Sequence, residues 1–91
     1  MKLTIKGKEI ELKYSIRSLL MYENMTDKSF SSTTMTDLVV FFYCVVISSS
    51  QDYSYTFDEF IDYIDENPTI ISEFAEWLKN TVDTNNNIKK K

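Results

Sequence analysis

Carboxylate side chains are the residues of this sequence that are best suited to chemistry, and four of them lie close together. Asp58, Asp62 and Glu66 are spaced four residues apart, and Asp65 precedes the last of them. On a helix this spacing places neighbouring carboxylates on one face, where they could bind a hard cation or act as an acid–base pair. The central glycine of a calcium loop is missing, and no other segment supplies ligands or a catalytic cleft. We therefore predict that these four residues form a solvated acidic surface.

The other reactive side chains form no catalytic or zinc-binding pattern. The chain has one cysteine and no histidine, which excludes an internal disulfide, zinc sites built from these residues and imidazole-dependent dyads. Cys44 lies in an apolar run, where burial would raise the pKa of its thiol, so we interpret it as a packing residue. A single glycine cannot form a glycine-rich phosphate loop. We expect a protein that is not an enzyme and needs no cofactor or metal.

Length and charge narrow the class of protein further. The 91 residues have a net charge of −4, and residues 29–78 contain acids but no lysine or arginine. Such a surface repels phosphate backbones, so we expect no nucleic-acid binding. We expect no membrane association, because the longest apolar run, 38–47, is half the length of a membrane span of about 20 residues. The N-terminus has no apolar signal-peptide region, which predicts a cytoplasmic protein.

The hydrophobic pattern predicts an α+β fold that is mostly helical, with an N-terminal β-hairpin before about four helices around one core. Apolar residues alternate with polar ones on both sides of Gly7, the residue that suits a tight turn. Farther along, apolar residues recur at helical spacing. We predict one globular domain over 1–82, with a hairpin over 2–14, helices over about 15–26, 37–49, 57–66 and 68–82, and a disordered polar tail over 83–91.

Capping residues indicate where these helices begin. Ser15 and Thr36 are candidate N-caps, Thr56 and Glu59 fit a capping box, and Pro68 suits a first helical position. The apolar positions of the first helix, which are expected to repeat along one side of it, are Ile16, Leu19, Leu20 and Met25.

The second predicted helix is apolar on almost every side. A helix of this kind must be covered on every side, and a chain of 91 residues can barely surround one. Two interpretations remain open: the chain encloses the helix completely, or a second copy or partner covers part of it. Aromatic residues near loops and beside the core stripes add interface candidates. The candidates for partner binding or self-association are Val39, Tyr43, Val46, Tyr53, Tyr55, Tyr63 and Trp77.

The order of these parts resembles the tail assembly chaperones of long-tailed bacteriophages. The hairpin Lys2–Tyr14 runs directly into a helix that carries Arg17 and Glu23, and Thr26-Asp27-Lys28-Ser29-Phe30 follows it. In the family a glycine is common where Asp27 stands here. An apolar helix and then a threonine, an apolar residue and two acids, as in Thr56–Phe60, complete the resemblance, which spans about residues 1–80.

The resemblance implies a function in phage assembly. Such chaperones coat the tape measure protein, keep its apolar helices soluble and help to recruit tail tube subunits. The apolar second helix adds the expectation that this chain self-associates. They act in the cytoplasm of the infected bacterial host and are absent from the mature virion. Many have a longer form made by ribosomal frameshifting, and Lys89-Lys90-Lys91 is compatible with a slippery codon run.

Two other classes of function remain open from the residues. The base-free acidic stretch could mimic DNA and inhibit a nucleic-acid-binding host protein, in which case binding would weaken steeply with salt. The chain could also be a small structural or adaptor protein of the virion. A chaperone that binds through apolar burial would instead be rather insensitive to salt.

Overall fold

The computed structural model describes residues 1–28, 30, 34–50 and 56–89, with side chains described up to residue 81. A two-stranded antiparallel hairpin precedes four helices, which confirms the predicted α+β, mostly helical fold. The elements are β1 (Lys2–Ile5), β2 (Lys8–Glu11), α1 (Ile16–Thr26), α2 (Met35–Ser49), α3 (Phe57–Glu66) and α4 (Ile70–Lys89).

The hairpin has the register that its alternating pattern requires. Leu3 pairs with Ile10 and Ile5 pairs with Lys8, so a two-residue loop joins the strands. Both loop residues have positive φ, 50° at Lys6 and 80° at Gly7, as in the turns whose twist matches that of a hairpin. The apolar side chains Leu3, Ile5, Ile10 and Leu12 are all buried, so one face of the hairpin covers the helical core.

Local capping sets the start of three helices. The Ser15 hydroxyl accepts a hydrogen bond from the Ser18 backbone N–H, and Thr56 with Glu59 forms the predicted capping box. The predicted cap of α2 is wrong, because Thr34 and not Thr36 accepts a hydrogen bond from the Asp37 backbone N–H, at 3.1 Å. The helix therefore begins earlier, at Met35. Thr34 and Thr36 both have side chains that can cap a helix. Thr34 is the cap because Asp37, which is buried, already lies in the first turn of the helix.

The fourth helix differs from its predicted bounds at both ends. It begins at Ile70, because Pro68 and Thr69 form a turn instead of the first helical turn. It continues to Lys89, which corrects the predicted end at residue 82 and the assignment of 83–89 to a disordered tail. Residues 83–89 contain no glycine or proline to interrupt the helical hydrogen bonds. Residues 90 and 91 lie outside the described residues.

Helix α2 is the centre of the core. Phe41, Phe42, Cys44, Val45 and Val46 are fully buried, and they cover an arc of about 200° around the helix. Phe42 stacks on Phe74 of α4 with ring centroids 4.1 Å apart, and its edge meets Phe60 of α3 at 4.9 Å. Tyr22 of α1 meets Phe41 at 5.9 Å. The chain thus covers most of this helix itself. Val40, Tyr43 and Ile47 on the remaining side are only half-buried, so cover of that side by a second copy or partner stays a prediction.

Candidate interaction surface

The buried carboxylate of Asp37 joins α1 to α2 and helps to set which side of α1 faces the core. The Tyr22 hydroxyl donates a hydrogen bond of 3.0 Å to Oδ1 of Asp37, and the Lys28 ammonium donates one of 2.8 Å to the same oxygen. Tyr22 is fully buried, and Asp37 is 6% exposed. A buried carboxylate is stable only when it is paired and hydrogen-bonded, so these contacts hold the Tyr22 side of α1 against α2.

The ionisation of both donors reflects this environment. Burial, followed by the hydrogen bond to Asp37, raises the pKa of the Tyr22 hydroxyl. The hydrogen bond to Asp37 raises the pKa of the Lys28 ammonium. At neutral pH the tyrosine is therefore neutral and the lysine is charged, which is the combination that a single carboxylate can accept from both.

The opposite side of α1 faces away from the core and carries two exposed apolar residues. Ile16 is 69% exposed and Leu20 is 55% exposed, although both belong to the apolar pattern of the helix. They are four residues apart, so they lie one above the other on a single face. Arg17, Glu23 and Asn24 are exposed around them. We call the residues Ile16, Arg17, Leu20, Glu23 and Asn24 the outer face of α1.

Two methionines complete the set of large apolar side chains that the described structure leaves exposed. Met25 is 48% exposed and Met35 is 62% exposed. Met25 lies nine residues after Ile16, about 180° around the helix, so it is not part of the outer face. The Cys44 thiol is 3.5 Å from the Met25 sulfur, which places Met25 at the junction of α1 and α2. Unbranched methionine side chains adapt readily to irregular partners.

Most of the interface candidates predicted from the sequence belong to the core or its edge. Val46 is fully buried and Val39 is 9% exposed, so neither can bind a partner, which corrects their assignment. Tyr43 is half-buried, with its ring centroid 5.4 Å from that of Phe57, and burial raises its pKa. The reason for correcting the two valines is that the chain itself covers the side of α2 on which both of them lie.

The remaining aromatic candidates lie at the edges of the core. Tyr63 is half-buried beside Phe60, with ring centroids 6.4 Å apart, and burial raises its pKa. Trp77 is half-buried beside Phe74, with ring centroids 5.6 Å apart. Tyr53 and Tyr55 lie outside the described residues. Tyr63 and Trp77 therefore contribute more to packing than to a free surface.

The acidic residues of α3 have the placement that the sequence predicts. Asp58, Asp62, Asp65 and Glu66 are all exposed. Asp62 and Glu66 border an open groove of about 370 Å³ between the hairpin turn and α3, together with Ile5, Lys6, Glu59 and Tyr63. Among the described residues no three histidine, cysteine or acidic side chains are grouped closely enough to hold a metal ion.

A cross-element ion pair lies at the same groove. The Lys6 ammonium donates a hydrogen bond to Glu59 Oε2, and the Thr56 backbone N–H donates one of 3.0 Å to Glu59 Oε1. These bonds lower the pKa of the Glu59 carboxyl, the bond from Lys6 most strongly. The pair ties the hairpin turn to the start of α3, so Glu59 is a structural residue and not a free carboxylate.

Cys44 has no feature of a reactive thiol. It is fully buried in α2, as the sequence predicts, and burial raises its pKa to about 11. The thiolate, which is the reactive form, is therefore suppressed at neutral pH.

The exposed apolar residues of α1 and α2 are the feature that sequence reasoning missed. Ile16, Leu20 and Met25 were read as one apolar pattern, but the helix buries Ser18 and Tyr22 instead. The signal was present, because Ser18 and Tyr22 are also four residues apart and form a second face. Periodicity alone could not show which of these two faces is buried, because the hydrogen-bond partner of Tyr22 lies 15 residues away in sequence.

Comparison with known proteins identifies no relative of this chain. No family model matches the chain, and neither a curated protein nor a solved structure matches it. In the part of the chain that the structure describes, no helix is both long and apolar enough to cross a membrane.

Proposed function

We propose that this chain is a tail assembly chaperone of a long-tailed phage, which binds the tape measure protein and keeps its apolar helices soluble. One observation carries the proposal: the large apolar side chains that the described structure leaves exposed all come from α1 and the start of α2. They are Ile16, Leu20, Met25 and Met35. A small domain gains nothing in stability from leaving such residues in water, so their exposure favours a role in binding.

Charge and chemistry support the same proposal. The exposed carboxylates of α3 keep a loaded assembly soluble and repel nucleic acid. The resemblance of residues 1–80 to tail assembly chaperones supplies the client and the further partner, the tail tube subunits. In this proposal the chain is not an enzyme, acts in the cytoplasm of the infected host and is absent from the finished virion.

Co-expression with the tape measure protein of the same genome tests the proposal. We expect the tape measure protein to become soluble and to be captured with several copies of this chain, with little change as salt is raised. The variant Met25→Gln with Met35→Gln should lose capture, because both methionines are exposed apolar contacts and glutamine is a good helix former. Thr36→Gln with Asn80→Gln is the control, since it places the same two side chains at exposed positions outside both proposed surfaces.

The exposed acids Asp58, Asp62, Asp65 and Glu66 favour a second candidate, a DNA mimic that inhibits a nucleic-acid-binding protein. That candidate predicts capture of host proteins that weakens steeply with salt and depends on these four carboxylates. If the tape measure protein stays insoluble with this chain, the chaperone proposal is wrong. Presence of the chain in purified virions would instead indicate a structural or adaptor protein.

A further inference from the structure

We propose that the outer face of α1 is a self-association surface, which pairs with the same face of a second copy through a twofold axis at Leu20. The proposal deepens the proposed function, on which it rests for the client. It assigns Ile16 and Leu20 to the second copy and leaves Met25 and Met35 to the client. Because Met25 lies about 180° from Ile16 around α1, one copy can use both surfaces at once.

The arrangement of charge around Leu20 is what selects a second copy as the occupant. Arg17 and Glu23 are each three residues from Leu20, one before it and one after it. Three residues correspond to about 300° and about 4.5 Å along a helix. Arg17 therefore lies at one edge of the outer face and one end of it, and Glu23 lies at the opposite edge and the opposite end.

This arrangement is complementary to itself. A twofold axis through Leu20 that runs diagonally across the face brings Arg17 of each copy over Glu23 of the other, with the two helices steeply crossed. Two identical ion pairs then flank a contact between the two Leu20 side chains, with Ile16 beside it. In a twofold interface every contact occurs twice, so opposite charges placed symmetrically about an apolar residue are the pattern that such an interface requires.

The described structure leaves these groups available for the contact. Arg17 and Glu23 are exposed, and neither takes part in an ion pair within the described residues. Ile16 and Leu20 are more than half exposed. The face is small, which predicts a weak dimer that forms as concentration rises and not an obligate one.

Reversal of the charges at Arg17 and Glu23 provides the sharpest test. The measurement is the dissociation constant of the dimer of the full chain, by sedimentation equilibrium at low salt. Arg17→Glu and Glu23→Arg should each weaken the dimer roughly tenfold or more, because each replaces two attractive pairs with two repulsive ones. The double variant Arg17→Glu with Glu23→Arg should restore it, because the pairs are then only exchanged. Lys79→Glu and Glu76→Arg make the same changes in net charge at exposed positions of α4 and should have little effect.

A cross-link tests the position of the axis. Leu20→Cys places a thiol next to its own copy, within the short Cα distance that a disulfide needs. Mild oxidation should convert this variant to a covalent dimer much faster than Glu76→Cys. Circular dichroism of each variant confirms that it is folded.

The outcomes separate the two proposals. If the wild-type chain is monomeric at every concentration, or if the double reversal does not restore the dimer, self-association through this face is wrong. The variant Ile16→Gln with Leu20→Gln should be monomeric and should still capture the tape measure protein through Met25 and Met35. If the dimer behaves as expected but neither the wild-type chain nor any variant captures the tape measure protein, the self-association surface is supported and the proposed function is wrong.

Discussion

The hydroxyl of Tyr22 and the carboxylate of Asp37 form a buried hydrogen bond of 3.0 Å across the junction of α1 and α2. Lys28, which follows the C-cap of α1, donates to the same carboxylate oxygen at 2.8 Å. This contact turns one side of α1 inward and so determines that Ile16 and Leu20 face outward. The exposure of Ile16 and Leu20, on which the self-association proposal depends, follows from this inward rotation of the Tyr22 side.

Tyr22→Phe should destabilise the protein by about 1–2 kcal/mol, because the buried Asp37 loses a donor and keeps its cost of burial. The measurement is the free energy of unfolding in urea at neutral pH. Tyr63→Phe is the control, since Tyr63 is half-buried and its hydroxyl has no partner among the described residues. Equal effects of the two substitutions would contradict the role assigned to the Tyr22 hydroxyl.

Thr34→Ala should destabilise the protein by about 1 kcal/mol, because it removes the hydroxyl that accepts the Asp37 backbone N–H at the start of α2. Thr36→Ala should change stability by less than about 0.5 kcal/mol, because an exposed threonine inside the helix has no capping contact. Chemical denaturation of both variants measures the difference. The reverse order would support the cap that the sequence alone suggested.

Burial of Cys44 predicts a loss of stability at alkaline pH. Its pKa rises from 9.0 to about 11 on folding, so the folded state holds the proton more tightly. The stabilisation is complete below pH 9.0 and is lost as pH rises through about 11. By pH 10.5 this group should account for about 1–2 kcal/mol of the decline.

Comparison with Cys44→Ala isolates that contribution. The variant should be less stable than the wild type at pH 8, because it leaves a small cavity, but its stability should fall less between pH 8 and pH 10.5. Tyr22, Lys28 and Tyr63, whose raised pKa values add losses in the same direction, are present in both proteins and cancel. The pKa of Tyr43 is raised mainly by burial and partly by Cys44, so its contribution to the difference has the same sign as that of Cys44. Parallel declines measured by urea denaturation would show that Cys44 does not titrate in this way.

Gly7→Ala should destabilise the hairpin by about 1–2 kcal/mol, the cost of holding a side chain in a left-handed conformation. The expected loss of stability comes only from the backbone φ of 80°, because a Cβ at this position meets no atom within 4 Å. Gly7→Asn should cost less, since asparagine tolerates this conformation. Thermal unfolding of the three proteins gives the order, and an equal loss for both variants would point to steric crowding instead.

Much of the fold could be predicted because its signals are local. Alternation around Gly7 predicts the hairpin, and the hydroxyls of Ser15 and Thr56 cap helices whose backbone N–H groups lie three residues away. The acidic residues of α3 are exposed as predicted, since charged groups on one side of a strongly amphipathic helix have no reason to be buried. These features depend on neighbours within a single element.

The interaction surface could not be predicted in this way, because distant contacts decide it. Val39 and Val46 were predicted to be available to a partner, but the side of α2 on which both lie is buried by the rest of the chain. Ile16 and Leu20 belong to the apolar pattern predicted for α1, but the helix buries the side of Ser18 and Tyr22, where Tyr22 reaches Asp37. The sequence by itself determined the kinds and order of the elements, the caps of α1 and α3 and the distribution of charge. Only the tertiary structure decided which apolar face of each helix is covered, because burial depends on the sum of contacts from residues far apart along the chain.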